Sequence, residues 1–274
     1  MKKILVIVLF LISNLFAYTE YFDNQSTQNI KWQDIIDLKK INPNLTPQGV
    51  AVYGDLLITT NIDKKTNRTY MMVFDENFTL KNALLMPSDA THTSDLEVYG
   101  NVIYALDYDS NYVYLFDAKD ILYDKNLNLI NKVQTNLSYS GSACISKINN
   151  REYYVISRFL RSNELYFIPL AILKNSSHII NSDINFKLKV DYFIQGLYCH
   201  DDMLYVTLNR HGKDLIKIYN LHYFDNKIKL KQVSSLNSPT DMIEDIVIKD
   251  GFIITSGEDK NENIYYKGRI NNVN

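Results

Sequence analysis

Apolar and polar positions alternate with a period of two along most of this chain, and the alternation comes in hairpins. The clearest runs Gln195-Gly196-Leu197-Tyr198-Cys199-His200, then Asp201-Asp202, then residues 203–209. Leu197 and Cys199 share one face and Tyr198 takes the other. Asp201-Asp202 supplies the turn, and residues 204–207 make a β-rich return strand. The same pattern recurs four more times. Gln48-Gly49-Val50-Ala51-Val52 passes through Gly54-Asp55 to residues 56–61, and Ser94-Asp95-Leu96-Glu97-Val98 passes through Gly100-Asn101 to residues 102–107. Gly141-Ser142-Ala143-Cys144-Ile145 passes through Asn149-Asn150 to residues 153–158. Glu244-Asp245-Ile246-Val247-Ile248 passes through Asp250-Gly251 to residues 252–256.

Starting from Gly49, successive copies are spaced by about 46, 47, 54 and 49 residues. A period of roughly 40–50 residues with several strands per unit predicts a β-propeller. Residues 69–74, 112–116 and 215–219 supply third strands, and residues 80–86, 129–133 and 228–233 supply fourth strands. The last repeat has a third strand at 263–267 and then runs out of chain. Residues 31–38 form a spare strand near the N-terminus. They are expected to complete the last blade, because closure removes an open sheet edge. The predicted fold is all-β, with five four-stranded blades; a six-bladed ring is the alternative. The longest stretch without a strand pattern, residues 171–183, is expected to be a loop on the third blade.

Residues 1–17 read as a signal peptide. Lys2 and Lys3 precede an apolar run over residues 4–12, and Asn14-Leu15-Phe16-Ala17 offers a cleavage site. The run is too short for a membrane span of about 20 residues. This predicts a single domain over residues 18–274, located in the periplasm or secreted, with no stable membrane anchor after cleavage. A net charge of −2 gives no basic footprint for nucleic acid. Export bears on the two cysteines, Cys144 and Cys199, which fall on innermost strands of adjacent blades. Two states are open to them: a bridge across one blade interface, or two buried thiols acting as small apolar residues.

In a propeller the innermost strands start, and the second strands end, at the same face of the ring. Residues at both positions therefore gather around one mouth of the central channel. Here they are Gln48, Ser94, Asp95, Gly141, Ser142, Gln195, Glu244 and Asp245, then Asn61, Asp107, Arg158, Asn209, Arg210, His211 and Glu258. Loops entering the mouth add His92 and Asp241. A wet channel with small residues near a crowded axis accounts for part of this set. Two kinds of site account for more. Oxygens of Glu244, Asp245, Asp95, Asn209, Gln48 and Gln195 make a candidate cage for Ca²⁺, which takes six to eight such ligands. Arg158, Arg210, Lys213 and His211 form a cationic side suited to an anionic small molecule. No His/Cys spacing fits zinc, and no G-x-S-x-G, Walker or dinucleotide motif occurs.

Gln195-Gly196, the strand pair ending in Asn209-Arg210-His211-Gly212, and Ile243-Glu244-Asp245-Ile246 followed by Thr255-Ser256-Gly257 resemble consecutive blades of the calcium-dependent lactonase and arylesterase propellers, the group of paraoxonases and gluconolactonase-like enzymes. The resemblance covers roughly residues 190–260. It implies a channel Ca²⁺ that polarises an ester or lactone carbonyl, with a histidine or carboxylate managing water. By position it implies Glu244 as a metal ligand and His211 as an active-site histidine. The family has six blades, and a histidine where Gln195 stands. The site expected from pattern and resemblance together has His211 and His92 as catalytic residues and Arg158, Arg210, Gln48 and Gln195 as substrate-binding residues. Glu244, Asp245, Asp95 and Asn209 would hold the metal. The expected activity is calcium-assisted ester or lactone hydrolysis; the alternative is a non-catalytic propeller that binds a small molecule or a protein at the same mouth.

One further motif stands apart from the mouth. Asp75-Glu76-Asn77-Phe78-Thr79 is an Asn-x-Thr sequon with an acid two residues before the Asn. It resembles the acidic sequon of some bacterial periplasmic N-glycosylation systems, and it falls in a turn predicted to be exposed.

Overall fold

Each blade begins with a hairpin whose turn demands a positive φ. Gly54, Gly100 and Gly251 supply it at 59°, 63° and 75°, Asn149 and Asn150 at 48° and 59°, and Asp201 at 50°. Two-residue turns of this hand match the twist of the strands they join. The computed structural model describes residues 16–17, 27–119, 121–137, 139–159, 163–191, 193–209, 215–225, 227–258 and 263–270.

The hairpins grow into five antiparallel sheets arranged as a propeller. Blade one comprises Leu45–Tyr53, Leu56–Asp63, Arg68–Phe74 and Leu80–Leu85. Blade two comprises Thr93–Tyr99, Val102–Asp107, Tyr112–Asp117 and Leu129–Thr135. Blade three comprises Ser140–Ile148, Arg151–Arg158, Glu164–Pro169 and Phe186–Lys189. Blade four comprises Ile194–His200, Met203–Leu208, Leu215–Phe224 and Lys227–Asn237. Blade five takes Ile243–Lys249, Phe252–Glu258 and Asn263–Arg269 from the C-terminal end of the chain. Its outer strand is Trp32–Asp37, antiparallel to Asn263–Arg269, with Ile264 opposite Asp37 and Gly268 opposite Trp32. The spare N-terminal strand thus closes the ring as the pattern predicts.

Blades two, three and four each carry a short fifth strand beyond the four expected. Phe16–Ala17 pairs parallel with the outer strand of blade three, and Thr27–Gln28 with that of blade four. The region expected to be a loop, residues 171–183, is structured. It lies in a connection holding the short helix Leu170–Asn175, with Leu170 and Leu173 buried, and the strand His178–Ile179, which pairs parallel with the outer strand of blade two. One helical turn and a two-residue strand are too short to leave a periodic signature.

Side chains from facing sheets fill five cores, one per blade interface. Between blades one and two, Ile58, Met71 and Val73 pack with Ile103, Ala105 and Tyr114. Between blades three and four, Val155, Leu165 and Phe167 pack with Leu204, Val206 and Tyr219. In that second core Cys144 and Cys199 are bridged, with Cα atoms 5.5 Å apart. This resolves the two states the sequence left open. The bridge joins the innermost strands of two blades across 55 residues of sequence.

The axis of the ring is held by one carboxylate. Asp245 Oδ2 accepts the backbone N–H of Val50 at 2.7 Å and that of Leu96 at 3.4 Å, and Oδ1 accepts the N–H of Ile246 at 2.7 Å. It therefore ties blade five to blades one and two. Blade four presses against the same point: a Cβ on Gly196 would lie 2.6 Å from Asp245 Cα and 2.6 Å from the Glu244 carbonyl oxygen. Asp95 faces the Asp245 carboxyl group and the Ala143 backbone amide without closing a well-formed hydrogen bond to either. Burial, and then the Asp245 charge beside it, push Asp95 well above the carboxylate range. Burial pushes Asp245 up to about 8 against the pull of its backbone donors. Because Asp245 collects the N–H groups, Asp95 is the member that keeps the proton.

Two outcomes follow from this architecture. The entropy model gives a 55-residue closed loop about 4 kcal/mol of stabilisation. Reductant should therefore lower the melting temperature by roughly 10 °C. The Cys144→Ser/Cys199→Ser double variant should melt at that lower temperature and ignore reductant. The axial pair predicts a pH slope. Both folded-state values lie above those of the unfolded chain, so the proton held there stabilises the fold. That contribution is fully present below the unfolded carboxylate range near pH 4; its Asp245 share is lost as pH rises through about 8, and its Asp95 share as pH rises through that group's own raised range. Asp95→Asn keeps a donor for Asp245 and removes the burden of ionisation. It should flatten the decline and raise the melting temperature at pH 8.5 by about 3–6 °C. An equally steep decline in the variant, in melts from pH 5 to 9, would refute the assignment.

Candidate functional site

Every innermost strand breaks register at its start. The ladder slips between Pro47 and Val50, Thr93 and Asp95, Ser140 and Ser142, Ile194 and Gly196, and Ile243 and Ile246. A bulge leaves its extra residue without a ladder partner and re-aims its side chain. The bulged segments contain Gln48, Ser94, Gly141, Gln195 and Glu244, and all five line one pocket at the channel mouth, about 330 Å³ in volume. Hydroxyl groups from second strands hold these bulges to their neighbours. Thr60 donates to the Thr93 carbonyl, Thr207 to that of Glu244, and Ser256 to that of Gln48. Gly141 stays small because a Cβ there would lie 2.9 Å from Phe159 Cβ, and Phe159 is itself a pocket wall.

His92 enters the pocket on a loop pinned by Asp107. That carboxylate accepts the backbone N–H of His92 and that of Ser110, both at 2.8 Å, and burial raises it above the usual range. His92 Nε2 lies 2.8 Å from Gln48 Oε1, and Gln48 Nε2 donates to the Pro47 carbonyl at 2.7 Å. The second bond fixes the Gln48 amide, so its oxygen faces the imidazole and Nε2 of His92 carries the hydrogen. Asp109 Oδ2 stands 3.8 Å from Nδ1 on the far side. His92 is thus presented as a donor rather than as a base.

The aromatic walls were not legible as site residues. Tyr108 and Phe159, with ring centroids 6.4 Å apart, form an aromatic side, and His92 lies 5.3 Å from the Tyr108 ring. Each directly follows a residue expected at the mouth, Asp107 or Arg158. An aromatic residue immediately after the second strand in two successive blades was the available signal. Lys64 and Glu258 close the rim as an ion pair at 2.5 Å.

Of the expected site, the structure brings Gln48, Gln195, His92 and Glu244 to one pocket. Asp95 and Asp245 instead turn inward to the axis, where Asp245 is engaged by backbone donors. Asn209 sits half-buried at the end of a blade-four strand, its backbone N–H donating to the Phe193 carbonyl. Arg158, also half-buried, ends its strand beside the pocket wall Phe159 and is not a wall itself. Arg210, His211 and Lys213 lie outside the described residues. Among the described residues, no group of three or more His, Cys, Asp or Glu could hold a metal ion. With Asp245 committed to Val50, Leu96 and Ile246, the four expected ligands do not form the cage that Ca²⁺ needs.

No protein-family model and no curated protein matches this sequence. Among solved structures, the chain is similar to the glutaminyl cyclase of Myxococcus xanthus, with a TM-score of 0.61 and 10% identity over 91% of this chain and 100% of that one. It is also similar to the virginiamycin B lyase of Staphylococcus aureus, with a TM-score of 0.51 and 12% identity over 88% of this chain and 100% of that one. At such identities the likeness speaks for the fold alone, and by fold the chain is a five-bladed β-propeller.

Proposed function

We propose that the mouth pocket binds a compact organic molecule bearing an ester or lactone carbonyl and that the protein hydrolyses it. The observation that carries this reading is the convergence of all five bulges on one pocket that also holds His92 as an oriented donor. The His92 Nε2–H would leave Gln48 and hydrogen-bond the carbonyl oxygen, stabilising the charge that develops there. Glu244, which is buried and lines the same pocket, would take a proton from the attacking water as it bonds to the acyl carbon, and would return that proton to the departing oxygen as the ester C–O bond breaks. Tyr108 and Phe159 would seat the apolar part of the substrate. The reading assigns no step to calcium, because the expected ligands do not fit it. An exported location is supported by the Cys144–Cys199 bridge, since such bonds persist in oxidising compartments.

A second reading, binding without turnover, is favoured by the contacts that hold His92 between Gln48 and Asp109. The two separate in one experiment. A panel of aryl esters and lactones is assayed with wild type, Glu244→Gln and His92→Ala, with and without EDTA. Hydrolysis should resist EDTA and fall about 10²–10⁴-fold in kcat/KM with Glu244→Gln. It should fall about 10²-fold with His92→Ala. Saturable binding of a panel member without turnover would establish the second reading, and EDTA-sensitive hydrolysis would restore the metal.

A further inference from the structure

We propose that Asn77 is an acceptor for N-linked glycosylation. The chain contains six Asn-x-Ser/Thr sequons, and four of them lie wholly within the described residues. Their surroundings differ sharply. In the first, Asn44 Nδ2 donates to Asn42 Oδ1 and Thr46 is buried. In the second, Thr69 is buried. In the fourth, Asn175 Nδ2 donates to the Ala171 carbonyl, and the Ser177 hydroxyl is bonded to His178 Nδ1. Asn175 and Ser177 are also exposed, but only in Asn77-Phe78-Thr79 are the two residues both exposed and both without a side-chain hydrogen bond among the described residues. Sequon readers need both groups, the amide as nucleophile and the hydroxyl for recognition.

The same sequon is the one with an acid two residues before the Asn. Asp75 Oδ1 accepts the backbone N–H of Asn77 at 3.0 Å and that of Thr79 at 2.8 Å, and Lys81 pairs with Oδ2 at 2.8 Å. Lys81 holds the Asp75 carboxyl below the usual range, so the acid is charged. Phe78 sits at φ 59°, and Asn77 is at the tip of the turn between the third and fourth strands of blade one. These bonds are local and water-exposed, but Phe78 packs against the core between blades five and one, so an enzyme that opens the turn must release that one ring. The tip lies on the face of the ring opposite the mouth, so a glycan there leaves the pocket open.

The donor is a glycan carried on a lipid diphosphate. Asn77 Nδ2 attacks the anomeric carbon and forms the N–C bond. The C–O bond to the diphosphate breaks, its electron pair leaves with the lipid diphosphate, and Nδ2 gives up one proton. The test co-produces the full chain, behind an established bacterial export signal, with an oligosaccharyltransferase that reads acidic sequons and its lipid-linked donor. Intact mass should show one glycan, and peptide mapping should put it on Asn77. Asn77→Gln should abolish it, and Asp75→Ala should reduce it at least tenfold, while melting curves confirm that both variants fold. An unmodified wild type, or a glycan that survives Asn77→Gln, overturns the proposal. Full modification of Asp75→Ala overturns the role given to the acid. Because the export signal is supplied, the outcome does not depend on residues 1–17, nor on what the mouth pocket does.

Discussion

The structure depends on one carboxylate at the axis of the ring. Innermost strands in a propeller have a free edge, because no further strand pairs with them on the channel side. Backbone N–H groups left there without a partner would be costly once five strands crowd together and exclude water. Asp245 answers for two of these edges, taking N–H groups from blades one and two while standing on blade five. One side chain thereby satisfies orphan donors and fixes how three blades meet. The cost is a second acid, Asp95, buried against it, and the pair resolves that conflict by retaining a proton.

The site is a by-product of the same crowding. The innermost strands cannot all continue straight to the mouth, and each breaks register there. The bulges take Gln48, Ser94, Gln195 and Glu244 out of their ladders and put them on one wall. Thr60, Thr207 and Ser256 lock three of the five bulges to the preceding blade through their carbonyls. Binding groups fixed in this way lose little freedom when a ligand arrives, which is the usual advantage of a site built on strands rather than on loops. The exception is His92, a loop residue made rigid by Asp107 beneath it and Gln48 beside it.

Ring closure involves the two ends of the chain and does more than complete a sheet. Trp32–Asp37 becomes the outer strand of blade five. Tyr265 on the neighbouring strand then reaches across to blade one, donating to the Thr60 carbonyl and lying 2.9 Å from Asn61 Oδ1, while Asn263 donates to the Leu45 carbonyl. The interface where the ring must close is therefore held by polar contacts in addition to its apolar core. Between blades three and four a covalent bridge adds to the core instead.

The sequence by itself determined the repeat, the strand alternation, the turn chemistry and the five-blade count, because each depends on local pattern and backbone preference. It also determined that Gln48, Gln195, His92 and Glu244 belong to one mouth, since strand starts in a propeller converge wherever their side chains point. What it could not determine was which way each side chain turns. A bulge shifts the parity of a strand by one residue and leaves no mark in composition, so the neighbours Glu244 and Asp245 read alike. Only the tertiary structure sends one to the pocket and the other to the axis. The same holds for the aromatic wall of Tyr108 and Phe159, which belong to neighbouring blades and meet only when those blades pack side by side.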